Sequence, residues 1–388
     1  MKVEVRYHLC RDIIPFWKAL RDDEFGGYYG FMDYDLNVDK KYIKGCILNS
    51  RITWFFSNAY TLLKDESLLE EAKHGYEFLK DHCLDKENGG IYWAMNYDGS
   101  VNDSMKHTYN QGFAIYALSS YYEASGDKEA LKTAKDIFNT IESKCKDEVG
   151  YLEAFDKEFN PVSNEALSEN GVMADRTMNT LLHIVEGYTE LYRVSGDPEV
   201  KEKLHEILHT FSTKIYNPDL HRQEVFFDSE YNSIIDLYSY GHDIETSWLI
   251  DRTVDVLNEK EYTDLIYPIT QDLAEAIYNV AFDGSSLPAE AENGVVKEAR
   301  VWWVQAETLL GFLNAYRKNP GEQKYLEAAN AVWQNISKNV IDRRSGEWFS
   351  ELDKEGKPNS SMPMVEPWKC PYHNGRMCFE ILKSNLLD

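Results

Sequence analysis

The sequence predicts an all-α fold, an (α/α)6 barrel of six helical hairpins joined by short hairpin-like loops. Three observations carry this. First, segments rich in Gly, aromatic residues and Asp recur about every 65 residues, the mark of a repeat architecture. They read FGGYYGFMDYD (25–35), NGGIYWAMNYDG (88–99), VGYLEAFD (149–156), RQEVFFDSEYN (222–232), FDGSSLPAE (282–290) and SGEWFSELDKEG (345–356). Second, the stretches between them hold twelve runs with apolar residues near i, i+3 and i+4, the helical period. Third, two joints are nearly identical: YYEASGDKEA (121–130) and LYRVSGDPEV (191–200). In each, a Gly stands where one helix ends and Asp127 or Asp197 can cap the next. Pro198 fits a first turn.

Taken in order, the first helix is expected at 6–21. The next pair is 41–63 and 66–84. Within 41–63, the mostly apolar GCILNSRITWFF carries Arg51 beside Trp54. A buried Arg must pair or bind something polar, because burying it alone is costly. Helices 105–124 and 128–145 follow, the first carrying Tyr109, Phe113 and Tyr116, a stripe that suits a core as well as a cleft. Helices 174–194 and 198–215 come next, with Arg176, Asn179 and His183 placed on one stripe. Helix 242–259 opens within YSYGHDIETSWL, and 262–281 follows it. There His242, Glu245 and Trp248 are spaced i, i+3, i+6. A Glu beside His242 can fix its tautomer and raise its pKa toward neutrality, as a general base requires. A capping Asp243 with a surface His–Glu pair is the plainer alternative. Helices 300–317 and 322–339 include Trp303 and Glu307 at i, i+4, next to Trp302. The last helix, 373–386, follows EPWKCPY, so His373 starts it, close to Trp368, Tyr372 and Arg376.

Six hairpins can close into a ring. An open α-solenoid would need polar capping repeats, and the last repeat is apolar and aromatic. No Pro/Ser-rich linker interrupts the chain, so one domain, 1–388, is expected. Alternate helices would form the inner wall with their N-termini at one mouth, where aligned dipoles favour anions. Arg51, Tyr109, His183, His242, Trp303 and the His373 turn fall at corresponding places on those even-numbered helices.

Composition removes several classes of function. Asp and Glu total 66 against 41 Lys and Arg, a net charge of −25, which repels nucleic-acid phosphates and anionic membranes. No apolar run approaches the ~18 residues of a membrane span, and the N-terminus lacks a signal-peptide pattern. The six cysteines form no CxxC pair and read as reduced thiols of a cytoplasmic protein. GxGxxG after a strand, GxxxxGK[ST] and GxSxG are all absent, which leaves cofactor-free acid–base chemistry. HEILH (205–209) matches the HExxH zinc motif, but the repeat puts it on an outer helix and no third ligand follows. No metal and no cofactor are expected. Abundant Tyr (26) and Trp (9) suit either a bulky helical core or a sugar cleft.

The blocks LNSRITWFFSNAY (48–60), MKHTYNQGFAIYALSSYY (105–122), EALSENGVMADRTMNTLLHIVEGYTELY (165–192), SYGHDIETSWLIDR (239–252), ARVWWVQAE (299–307) and PWKCPYHNGRMC (367–378) resemble the cellobiose 2-epimerases of the N-acylglucosamine 2-epimerase superfamily. The resemblance spans essentially the whole chain. It implies an (α/α)6 barrel and reversible inversion at C2 of the reducing-end sugar of β-1,4-linked disaccharides such as cellobiose, lactose or mannosyl-glucose. It also implies His242 and His373 as general acid/base groups, His183 as a third active-site histidine, and Glu245 and Glu307 as supporting carboxylates. Arg51, Tyr109, Asn179, Trp303 and Trp368 match its substrate contacts. A monomer is expected. Alternatives are a monosaccharide or N-acetylglucosamine epimerase or isomerase of the same superfamily, an inverting glycosidase using Glu245 and Glu307, or a non-catalytic glycan-binding barrel.

Overall fold

The computed structural model describes residues 1–165, 168 and 170–386. Residues 166, 167 and 169 of the block 165–192, and 387–388 of the expected domain, lie outside the described residues. Among the described residues, twelve helical elements follow one another. α1 runs from Lys2–His8 through a π turn, Leu9–Ile13, into Ile14–Lys18. α2 is Cys46–Leu63, and α3 is Glu66–Phe78 extended by a π turn, Leu79–Cys83. α4 is Thr108–Ser125 and α5 is Lys128–Lys144. α6 is Met178–Ser195, and α7 is Pro198–Thr210 with a π turn at Phe211–Ile215. α8 is Tyr240–Leu257 and α9 is Lys260–Val280. α10 is Trp302–Lys318, α11 is Gln323–Asn335 with a π turn at Ile336–Val340, and α12 is His373–Lys383.

Burial separates two rings. The even-numbered helices are buried on nearly every side: residues 46–59 of α2 are all buried. The odd-numbered ones bury one stripe, as α5 does with Ala130, Ala134, Ile137, Phe138 and Ile141. A helix apolar all round belongs inside, and an amphipathic one belongs around it. Each inner helix packs on the next, and α12 packs back on α2, so the ring is closed. The inner wall is tight. A Cβ on Gly187 of α6 would stand 2.5 Å from the carbonyl oxygen of Gly112 on α4. The two similar joints behave as their residues dictate. Gly126 and Gly196 end α4 and α6 in the left-handed conformation, and Asp127 and Asp197 accept from the backbone N–H of Glu129 and Glu199.

The loops at the mouth are built from paired short strands. The residues just before each inner helix pair antiparallel with the loop that follows the next outer helix. Lys44–Gly45 pairs with Ala94–Met95, Lys106–His107 with Ala154–Phe155, and Arg176–Thr177 with Phe226–Phe227. Leu237–Tyr238 pairs within Glu290–Glu292, and Arg300–Val301 with Glu351–Leu352. The sixth junction is a bridge between Met32 and Val365, which joins the first repeat to the last. Four inner helices therefore begin later than their periodicity suggests, at 46, 108, 178 and 302 rather than 41, 105, 174 and 300, while α8 begins at 240 rather than 242. α12 ends at Lys383 rather than 386.

Strand pairing also relocates Arg176. It is not on the α6 stripe with Asn179 and His183; it lies in the strand before the helix. Its guanidinium donates to Asp147 (2.6 Å) and to the carbonyls of Tyr151 and Ser229. The same device recurs where Lys44 meets Asp22 (2.6 Å), Lys106 meets Asp85 (3.0 Å) and Arg300 meets Asp283 (2.9 Å). A basic residue ahead of an inner helix ties it to the turn after the preceding outer helix. Among the described residues, no helix is long and apolar enough to cross a membrane.

Candidate active site

A cavity of about 430 Å³ opens at the N-terminal ends of the inner helices. Arg51 of α2, Tyr109 of α4, Asn179 and His183 of α6, His242 and Glu245 of α8, Trp303 of α10, Trp368, and His373 of α12 all line it. Of the residues expected from sequence, Glu307 alone is not on the wall. It lies behind His373 and reaches it. The helical period explains the convergence: apart from Trp368, which lies in the loop before α12, each of these lining side chains stands in the first two turns of an inner helix.

Trp303 stands against both rings of the expected acid/base pair, with centroid separations of 4.9 Å to His242 and 5.4 Å to His373. His373 Nδ1 donates to Glu307 Oε1 at 2.7 Å, which leaves Nε2 for the cavity. Glu307 also accepts from Trp248 Nε1 (2.9 Å) and from Arg376 Nη2 (2.8 Å). Arg376 bonds Glu245, Glu186 and the Tyr372 hydroxyl as well, so one buried guanidinium gathers three carboxylates. His183 Nδ1 meets Glu186 at 3.0 Å.

The charges follow from these contacts. Burial, joined by the positive Arg376 and Arg51, holds the His373 pKa well below its ordinary value. Burial alone would raise Glu186, but Arg376 and His183 bring it down to about 2. Burial and the adjacent Glu307 push Glu245 up to about 7, against the pull of Arg376. Glu307 is raised too, chiefly by burial.

The expected His242–Glu245 pair is not formed. Glu245 turns to Arg376, and His242 Nδ1 bonds Ser239 Oγ at 2.7 Å. The His242 pKa is accordingly not raised toward neutrality. Burial, then the nearby His183, lower it to about 3. Asp243 is not a surface cap either, being buried against Gln223 (2.8 Å). The i, i+3 spacing was correct, but a guanidinium from another helix outcompeted the imidazole for the carboxylate.

Arg51 is held on three sides. Nη2 donates to Tyr109 Oη (2.8 Å), Nη1 to the Trp368 carbonyl (3.3 Å), and the guanidinium lies 4.1 Å from the Phe113 ring centre. Its Nε–H is buried and has no hydrogen-bond partner among the described residues.

Several contributors were missed in the sequence. Glu186 stood at i+3 from His183, so its signal was available. Arg376 was noted beside His373 without a role. Ser239, Glu290 and Glu366 line the cavity with no motif to mark them. Glu245, Glu307 and His373 bring ligand atoms within 4.8 Å of one another, a spacing that could hold a metal ion. The Arg376 guanidinium already bonds both of those carboxylates. HEILH lies on α7, in the outer ring. There His205 pairs with Glu259 (2.6 Å) and Glu206 with Lys146 (2.6 Å).

This arrangement offers imidazoles, carboxylates, an arginine and indole faces around one polar-edged hollow, suited to proton transfer on a small polar molecule. The sequence profile of N-acylglucosamine 2-epimerase (GlcNAc 2-epimerase) matches residues 16–374. The chain belongs to the N-acylglucosamine 2-epimerase family. It is 51% identical to a cellobiose 2-epimerase of Eubacterium cellulosolvens, over 100% of this chain and 99% of that one. It is 50% identical to a cellobiose 2-epimerase of Ruminococcus albus, over 98% and 97%. A crystal structure of a sugar epimerase from a ruminal bacterium superimposes with a TM-score of 0.98 at 48% identity, covering 100% of this chain and 99% of that chain. The chain is thus a carbohydrate epimerase built on a closed (α/α)6 barrel.

Proposed function

We propose that the chain inverts C2 of the reducing-end sugar of β-1,4-linked disaccharides, converting cellobiose to glucosyl-mannose and acting likewise on lactose or mannosyl-glucose. The observation that supports this reading is that His242 and His373 line one cavity and that both rings lie against Trp303. We read the whole chain, 1–388, as one catalytic domain that works as a monomer in the cytoplasm without metal or cofactor.

The chemistry needs an open sugar, since the C2 proton is acidic only when α to the C1 aldehyde. Ring opening takes the proton from O1 and returns one to the ring oxygen. A neutral imidazole then removes the C2 proton, and the electron pair moves onto the C1 oxygen as an enediolate. Arg51, held by Tyr109 and the Trp368 carbonyl, is placed to stabilise that oxyanion. Rotation about C2–C3 turns the other face, and an imidazolium returns a proton to C2. Low pKa values suit both histidines to begin neutral; the one that takes the C2 proton becomes an imidazolium and releases that proton to water, as the other gains one from water and delivers it to C2, so the protons balance. We assign His183 to the same proton network through Glu186, Glu245 and Glu307 to its support, and Asn179, Trp303 and Trp368 to holding the two sugar rings.

Glu245 and Glu307 do not suit an inverting glycosidase. Both bond the same Arg376 Nη2, and Glu307 is behind the wall, whereas that reaction needs two carboxylates ~6.5–9.5 Å apart across the scissile bond. Incubation with cellobiose in D₂O tests the proposal. Glucosyl-mannose carrying deuterium at C2 is expected. Glucose as the product, or no product, sinks it. Parallel incubations with mannose and N-acetylglucosamine separate disaccharide from monosaccharide specificity.

A further inference from the structure

The three cavity histidines are seated in two ways. His183 and His373 each direct Nδ1 at a buried carboxylate, Glu186 and Glu307. His242 directs it at a hydroxyl, Ser239 Oγ, at 2.7 Å. Ser239 is the N-cap residue of α8, and a Ser there ordinarily accepts a hydrogen bond from an N–H of the first helical turn. It makes no such bond. Thr177, at the same place on α6, does cap its helix, accepting from Thr180 N at 3.0 Å. The start of α8 is held by other means: Gly241 N–H donates to the Ala289 carbonyl and Asp243 N–H to the Ser239 carbonyl. Ser239 is only 4% exposed and sits on the cavity wall. A good capping side chain has been turned from its helix onto an imidazole.

We propose that Ser239 is a positioning residue for the epimerisation, holding the His242 ring by Nδ1 so that Nε2 faces the sugar. The proposal rests on the reading of His242 as an acid/base group. A hydroxyl both accepts and donates, so Ser239 keeps its hold on Nδ1 in either neutral tautomer and in the imidazolium. A carboxylate in its place would favour the imidazolium and blunt the ring as a base. The titratable groups whose charge reaches His242 from other elements are His183 of α6 and His373 of α12, and Arg51, Tyr109, Glu290, Glu351, Glu366 and Lys369 share its cavity wall. On its own helix, Glu245 is turned to Arg376 and Asp243 to Gln223.

Ser239→Ala, Ser239→Thr and Ser239→Asp in the full chain, assayed on cellobiose beside His242→Ala, test this. Ser239→Ala is expected to lower kcat about 10-fold or more with KM held within about twofold, the signature of a misplaced reacting group. Ser239→Thr keeps the hydroxyl and restores most of kcat. Ser239→Asp moves the acid limb of kcat/KM upward by about one pH unit. Wild-type kcat in Ser239→Ala overturns the proposal, as does a folded Ser239→Thr no better than Ser239→Ala. If Ser239→Asp does not fold, the Ala and Thr pair decides. A dead His242→Ala with an unimpaired Ser239→Ala removes only the role of Ser239. An active His242→Ala removes the acid/base reading itself, and this role with it.

Discussion

Histidine meets glutamate in both rings of the barrel, with opposite consequences. On outer helix α7, His205 lies 2.6 Å from Glu259 and stacks on Tyr262. Both partners remain about 30% exposed, so water screens the pair and its worth is small. Between inner helices α10 and α12, His373 meets Glu307 at 2.7 Å with both side chains buried. There a carboxylate needs a counter-charge, Arg376 supplies it, and the protonation of each group is dictated by its neighbours. The outer helix even spells a better-known motif. The ring a residue occupies, rather than its type or local spacing, decides whether it can do chemistry.

The largest effects should come from the inner pair. His373→Ala and His242→Ala are each expected to lower kcat ~10²-fold or more while the protein stays folded. Unchanged turnover in either folded variant would erase the contrast between the rings. Arg376→Met should next cost about 3–5 kcal/mol of stability in urea unfolding, because three buried carboxylates lose their shared cation. A cost below ~1 kcal/mol would mean the inner charges are better hydrated than their burial indicates.

Glu153 gives a pH test of inner burial away from the cavity. It accepts from Thr177 N–H (2.7 Å) and Thr180 Oγ1 (2.6 Å) beneath α6, and burial pushes its pKa up to about 7. The folded state thus binds this proton more tightly than the unfolded chain. Its contribution to stability is complete below the unfolded carboxylate pKa near 4.5 and lost as pH rises through about 7. Glu153→Gln should reduce the fall in unfolding free energy between pH 5 and pH 8 by roughly 3 kcal/mol. An identical pH dependence in the variant would contradict the burial argument. The smallest effect belongs to the outer pair. His205→Ala should leave turnover within about twofold and stability within ~1 kcal/mol. Loss of activity there would overturn the assignment of HEILH to a screened surface.

The architecture was readable because the repeat is written in local chemistry. Gly126–Asp127 and Gly196–Asp197 set a helix end and a helix start wherever they occur, and the apolar stripes set which face turns inward. The starts of the inner helices were misread because Lys44, Lys106 and Arg176 continue a helical pattern while being tied to Asp22, Asp85 and Asp147 far back in the chain. Site residues on the first turns of inner helices were legible for the same periodic reason. Their partners were not. Glu245 has His242 three residues before it in sequence but Arg376 beside it in space, and short-range spacing cannot rank a neighbour against a stronger donor 131 residues away. Ser239 was invisible because its sequence context is that of an ordinary cap.

The bridge between Met32 and Val365 gives the first and last hairpins the same relation as any consecutive pair. Lys2 Nζ also donates to the Ser384 carbonyl at 2.7 Å, so the two tails run side by side. A wheel of this kind has no privileged spoke. Joining residues near 2 and 384 and cutting the polypeptide instead at the Gly126–Asp127 turn would rearrange the order of synthesis while preserving every junction around the rim.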